Sequence, residues 1–169
     1  MVDIQTVSIA IASAGVFLAA IYYILQIRHQ SKTRQMSLLM NLYLTWGSDD
    51  MKKAFGKVAG LEIKDYNDFV KSYGSFSSVE RSPVWVDIDK IGWFFNGIGF
   101  LVHGGFADIG QIDDLFPHST MNLWEILKPL VEGLRKQYNT PKTFQWFEYL
   151  YNEMKKYQQK LQQKGVKNG

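Results

Sequence analysis

No cysteine occurs in this chain of 169 residues. That excludes disulfide frameworks, thiolate metal sites and cysteine nucleophiles, and it suits a reducing compartment. Histidine is scarce, with three copies, and there are four prolines. No alternating apolar–polar pattern of useful length appears, so a sheet has nothing to be built from. Internal repeats and long low-complexity linkers are missing as well. No Ser-centred elbow, no HExxH string, no calcium-loop pattern and no nucleophile–base pair can be read. The length suffices for one domain with a real core and leaves little for a second.

What is present is aromatic and unevenly charged. Aromatic residues make up 15% of the chain, and the formal net charge is only +3. Arg28, Lys32 and Arg34 form one basic cluster, and Lys155, Lys156, Lys160, Lys164 and Lys167 form another. Between them Asp87, Asp89, Asp108, Asp113, Asp114 and Glu125 outnumber Arg81 and Lys90. The C-terminal lysines alternate with glutamine and lack interleaved aromatics after Tyr157. That argues against nucleic acid as a partner. Contact with an anionic lipid surface, at about 1 kcal/mol per lysine, explains the cluster more simply, as does a solvated helix end.

The segment VSIAIASAGVFLAAIYYILQI, Val7 to Ile27, carries no charge. At about 1.5 Å per residue it reaches roughly the 30 Å of a hydrocarbon core. Asp3 precedes it and no small-residue cleavage site follows, so it reads as a retained transmembrane helix rather than a signal peptide. Tyr22 and Tyr23 stand where an aromatic belt belongs, and Arg28, Lys32 and Arg34, with His29, stand just beyond the boundary. The positive-inside rule then places the N-terminus outside and the rest in the cytoplasm. Ser8, Ala12, Gly15 and Ala19 recur on one helix face, a stripe that would let a second membrane helix approach closely.

The remainder reads as helices. Met36, Leu39, Met40, Tyr43 and Trp46 share a face that continues the first helix. Ser48 caps a helix that opens with Asp49 and Asp50 and ends near Gly60. DYNDFVKSY makes a short helix, and GSFSSVERS a loop. Pro83, with Ser82 before it, opens a helix closed by Gly104 and Gly105. FADIGQIDDLF is a short turn or helix. Ser119 or Thr120 caps the next helix, which Pro129 is placed to kink. Thr140 and Pro141 open the last, with Phe144, Phe147, Leu150, Tyr151, Met154, Tyr157 and Leu161 as its apolar stripe.

The stretch IGWFFNGIGFLVHGG invites three readings. As a membrane span it is too short, because the uncharged run from Ile91 to Val102 contains Asn96 and falls well below about 20 residues. As a phosphate loop it lacks a following Lys-Ser or Lys-Thr, and as a dinucleotide motif it lacks a strand and a third glycine. As a buried central helix it places Ile88, Ile91, Phe95, Ile98 and Val102 on one face, broadened by Trp85, Phe94 and Leu101. Trp93 or Phe94, with Phe95 and Trp124, is expected in the core. Gly92, Gly97 and Gly99 weaken such a helix, and close approach of a neighbour would account for them.

The order GWFFNGIGFLVHGG, ADIGQIDDLF, LWEILKPLVEGLRKQY and TPKTFQWFEYLYNEM, preceded by the apolar N-terminal segment, resembles a family. It is similar to the uncharacterised prokaryotic membrane-anchored helical proteins of domain-of-unknown-function family 4760. The resemblance covers about Ile91 to Met154 and the layout of the anchor. It implies an all-α fold and carries no activity with it.

Chemistry is sparse. His103, Asp108, Asp113, Asp114 and His118 are weak candidates for a metal site, though acidic residues beside a short helix are more often solvated caps. Asp87 and Asp89 lie about 200° apart on a helix, so they do not form an acid–base pair. No catalytic residue and no cofactor are assigned. The sequence therefore predicts an all-α protein with one N-terminal transmembrane helix followed by a cytoplasmic multi-helix domain. Residues 1–6 are a short extracytoplasmic N-terminus, 7–27 the span, 28–164 the cytoplasmic domain and 165–169 a flexible basic tail. It sits in the cell membrane as a single-pass, non-enzymatic interaction or accessory module of a membrane assembly. Its partners are the lipid bilayer and either another protein or a second copy through the span. The alternative is a membrane-anchored enzyme or a small-molecule or metal sensor with a pocket near His103, Asp108 and His118.

Overall fold

Ser48 marks the boundary between two helices by serving both. Its hydroxyl donates to the Thr45 carbonyl at 2.7 Å and accepts the Met51 N–H at 3.3 Å, which satisfies an end group of each helix. The structure is a computed structural model that describes residues 3–78 and 81–167, and for residues 6, 7, 9–11 and 164–167 the backbone alone. Among the described residues there are seven helices and no strand: α1 (Ile4–Trp46), α2 (Asp49–Ala59), α3 (Tyr66–Tyr73), α4 (Pro83–His103), α5 (Ile109–Leu115), α6 (Ser119–Tyr138) and α7 (Gln145–Lys167). The expected all-α class is what the chain adopts. Asp65 caps α3, Pro83 is the first residue of α4, and Asp108 caps α5 through the N–H groups of Gly110 and Gln111.

The chain divides into two units, Met1–Leu42 and Tyr43–Gly169. The first is a single stretch of α1, and here the membrane reading is overturned. No helix of the described residues is long and apolar enough to cross a membrane. The uncharged segment Val7 to Ile27 is rich in alanine and is interrupted by Ser8, Ser13, Tyr22, Tyr23 and Gln26. Beyond it the same helix runs on unbroken through Arg28, Lys32 and Arg34. The expected transmembrane helix, the single-pass cell-membrane topology with its N-terminus outside and its cytoplasmic C-terminal domain, the bilayer as partner, and self-association through the span all lose their basis. Of the N-terminal and tail segments, residues 1, 2, 168 and 169 lie outside the described residues.

The second unit is organised around α4, which packs along α7 and α2. Trp85, Ile88, Ile91, Phe95 and Ile98 are fully buried, as their helical spacing predicts, while Val102 is half-buried. Phe94 rather than Trp93 turns inward: Phe94 stacks on Trp46 at 5.5 Å, whereas Trp93 is 62% exposed. Phe95 stacks on Phe147 of α7 at 5.1 Å and meets Trp46 and Phe116 edge-on. Trp124 of α6 completes this cluster against Phe147. Two of the three glycines serve the close approach expected of them. A Cβ at Gly99 would lie 1.9 Å from the Trp146 carbonyl oxygen, and one at Gly92 would lie 2.5 Å from the Phe144 ring. Gly97 faces open space.

The start of α7 differs from the expectation. Pro141 is not its first residue. Asn139 and Phe144 both take left-handed backbone, φ 50° each, so residues 141–144 form a turn and the helix begins at Gln145. Its free amides are capped from a distance instead. The Asn96 side-chain oxygen, on α4, accepts the N–H groups of Trp146 at 3.0 Å and Phe147 at 3.4 Å. Pro129 sits inside an α6 that stays helical on both sides of it.

Candidate functional site

Within the second unit, the chain leaves a cavity of about 310 Å³ beside α4. Trp85, Ile88, Asp89 and Trp93 line it from α4, and Leu134 and Tyr138 from the end of α6. Thr140, Thr143 and Phe144 close it from the α6–α7 turn, and Phe76 from the loop after α3. The positions follow from local structure. Trp85 and Asp89 are one helical turn apart, and Trp93 one turn further on. Phe144 is turned inward by its left-handed φ and meets Trp93 edge-on at 5.3 Å. Phe76 is edge-on to Trp85 at 5.4 Å and to Tyr138 at 6.0 Å. The Trp85 indole N–H donates to the Gly74 carbonyl at 3.0 Å, which ties the loop to α4. Five aromatic rings thus wall one small space.

Two polar features border it. Asp89 is paired with Arg81 at 2.5 Å, and its side chain is 25% exposed. Arg81 also lies 4.0 Å above the Phe76 ring and donates from Nε to the Phe76 carbonyl. Burial raises the Asp89 carboxyl above the ordinary aspartate value, and the opposing pull of Arg81 does not cancel this. The second feature is a hydroxyl cluster. Tyr138 Oη accepts from Tyr66 Oη at 3.3 Å, donates to Ser77 Oγ at 3.3 Å and lies 3.1 Å from Ser75 Oγ. The bonds to Ser75, Ser77 and Tyr66 favour its phenolate and lower its pKa to about 8, while burial raises that of Tyr66. An absorbance titration of tyrosinate should therefore show one early phenol near pH 8, absent in Tyr138→Phe. The folded state favours the Tyr138 phenolate, so its contribution to stability grows as pH rises from about 8 to about 10. Tyr66 acts in the opposite sense above about pH 10, where its raised pKa makes ionisation costly in the fold. No early phenol, or one that survives Tyr138→Phe, would refute the assignment.

The residues singled out in the sequence lie elsewhere. Among the described residues no group of three or more His, Asp or Glu is placed to hold a metal ion. The expected pocket near His103, Asp108 and His118 is not borne out: His103 and Asp108 are engaged separately and His118 is exposed. His103 stacks on Trp146 at 4.4 Å and meets Tyr149 edge-on at 5.2 Å. Asp108 is spent on capping α5, Asp113 accepts from Gln158 at 2.8 Å, and Asp114 and His118 are exposed. Asp87 and Asp89 face different partners, as their spacing implies: Asp87 is buried against Lys57 and Asp89 pairs with Arg81. Ser8, Ala12, Gly15 and Ala19 are exposed, the Ser8 hydroxyl donates to the Ile4 carbonyl, and a Cβ at Gly15 would meet nothing. Tyr22, Tyr23, Arg28, Lys32 and Arg34 are exposed along the same helix.

With the geometry in place, comparison with known proteins adds one match. The model of a family described as a domain of unknown function, DUF4760, matches residues 9–154, most of the chain. The chain belongs to DUF4760. No curated protein and no solved structure matches it. The match covers every residue that lines the cavity of this DUF4760 member. Sequence reasoning passed over Phe76, Arg81, Tyr138 and Thr143. The one available signal was an aromatic and an arginine inside the otherwise small and polar loop GSFSSVERS, where neither is needed for a turn.

Proposed function

We propose that this chain is a non-catalytic binding domain that takes a small, largely apolar molecule into the cavity between α4, the end of α6 and the α6–α7 turn. The observation that supports this is the five-ring wall around about 310 Å³. That volume is at the small end of ligand sites, where apolar walls with a few placed polar groups are usual. A catalytic reading has less support, since Asp89 is held by Arg81 and the Tyr138 hydroxyl is already engaged by three others. The test uses the full chain with a panel of small apolar alcohols and amines, read by tryptophan fluorescence and by melting. Binding members should raise the melting temperature. Trp93→Ala, which removes a largely exposed wall residue, should weaken binding about tenfold, the value of one lost ring face. A panel with no binder, or binders indifferent to Trp93→Ala, would remove the proposal.

A further inference from the structure

The cavity has a sign as well as a shape. Phe76, Trp85, Trp93, Tyr138 and Phe144 supply five aromatic rings to its wall, and the charged group on that wall is the carboxylate of Asp89. Arg81 meets only one of its oxygens, Oδ2, and among the described residues nothing bonds to Oδ1. The guanidinium lies over the loop-side ring of Phe76 and is partly exposed. The carboxyl stays above its usual range even with Arg81 in place, so its charge is undercompensated where it stands. A donor from inside the cavity would supply what Arg81 does not. An anion would meet the Asp89 carboxylate, while Arg81 is already paired with that group.

From these observations we infer that the ligand is a compact organic ammonium ion, its alkyl part against the rings and its N–H directed to Asp89 Oδ1. This rests on the binding function proposed above and adds the charge of the ligand. Cation–π attraction, strongest over tryptophan, and a charge-assisted hydrogen bond then act on the same atom. A neutral molecule of equal shape can still donate to the carboxylate but lacks the cation–π attraction and the ion pairing.

The experiment compares tert-butylammonium with tert-butanol on the full chain at fixed ionic strength, by fluorescence titration. The two differ by one charge and hardly in volume. The ammonium should bind about tenfold more tightly than the alcohol. In Asp89→Asn, which keeps the shape and the rings, the preference should fall at least about threefold. Equal binding of the two by the unmodified chain would overturn the ammonium assignment and leave the binding function standing. An undiminished preference in Asp89→Asn would overturn the role of Asp89 and with it the directed ammonium assignment. Binding of neither would overturn both readings. The wild-type ratio needs no variant, so a poorly folding Asp89→Asn does not block the decision.

Discussion

Phe95→Ala should lower the stability of the helical unit by about 3–5 kcal/mol, the cost of emptying a fully enclosed phenylalanine site. Phe95 has no exposed surface, and its ring touches Trp46, Phe94, Phe116 and Phe147. Those rings come from α1, α4, the end of α5 and α7, so the loss reaches four segments of chain. Neighbouring rings this large collapse poorly into a gap, which places the cost toward the upper end. Chemical denaturation measures it. Phe95→Leu, which refills part of the volume, should recover more than half. A loss below about 1 kcal/mol for Phe95→Ala would mean that the ring is not enclosed as described.

Gly99→Ala should be the second large effect, and in the direction opposite to helix propensity. Inside an exposed helix this change stabilises by about 1 kcal/mol. Here the added methyl would stand 1.9 Å from the Trp146 carbonyl oxygen and 2.6 Å from its carbon, both backbone atoms. No side-chain rotation relieves such a contact, so α4 and α7 must separate. We expect a net loss of about 2–3 kcal/mol, typical of overpacking. Gly97→Ala, on the same helix with open space around it, is the control and should be neutral or stabilising. Equal behaviour of the two variants would show that α4 and α7 do not touch at Gly99.

Local signals were legible in the sequence. Ser48 and Pro83 announce their helices because a helix start depends on neighbours only two or three residues away. The buried face of α4 was legible because helical spacing alone defines it. The N-terminal segment has the length, the missing charge, the tyrosines and the basic flank of a span, yet no helix of the described residues is long and apolar enough to cross a membrane. The cavity was not legible at all. Phe76, Asp89, Tyr138 and Phe144 come from four separate stretches, and Phe144 turns inward only through a left-handed backbone that its residue type does not foretell. The start of α7 failed for the same reason: its cap, Asn96, lies 50 residues away from Trp146.

That distant cap ties the breathing of α7 to the whole unit. The first amides of a helix ordinarily exchange with solvent by fraying, at little free-energy cost. In α7 the Trp146 and Phe147 amides are held by Asn96 of α4, across the contact that Gly99 makes possible. To release them the two helices must part. Their hydrogen exchange should therefore follow global opening rather than end fraying, and α7 should be least protected toward its lysine-rich end.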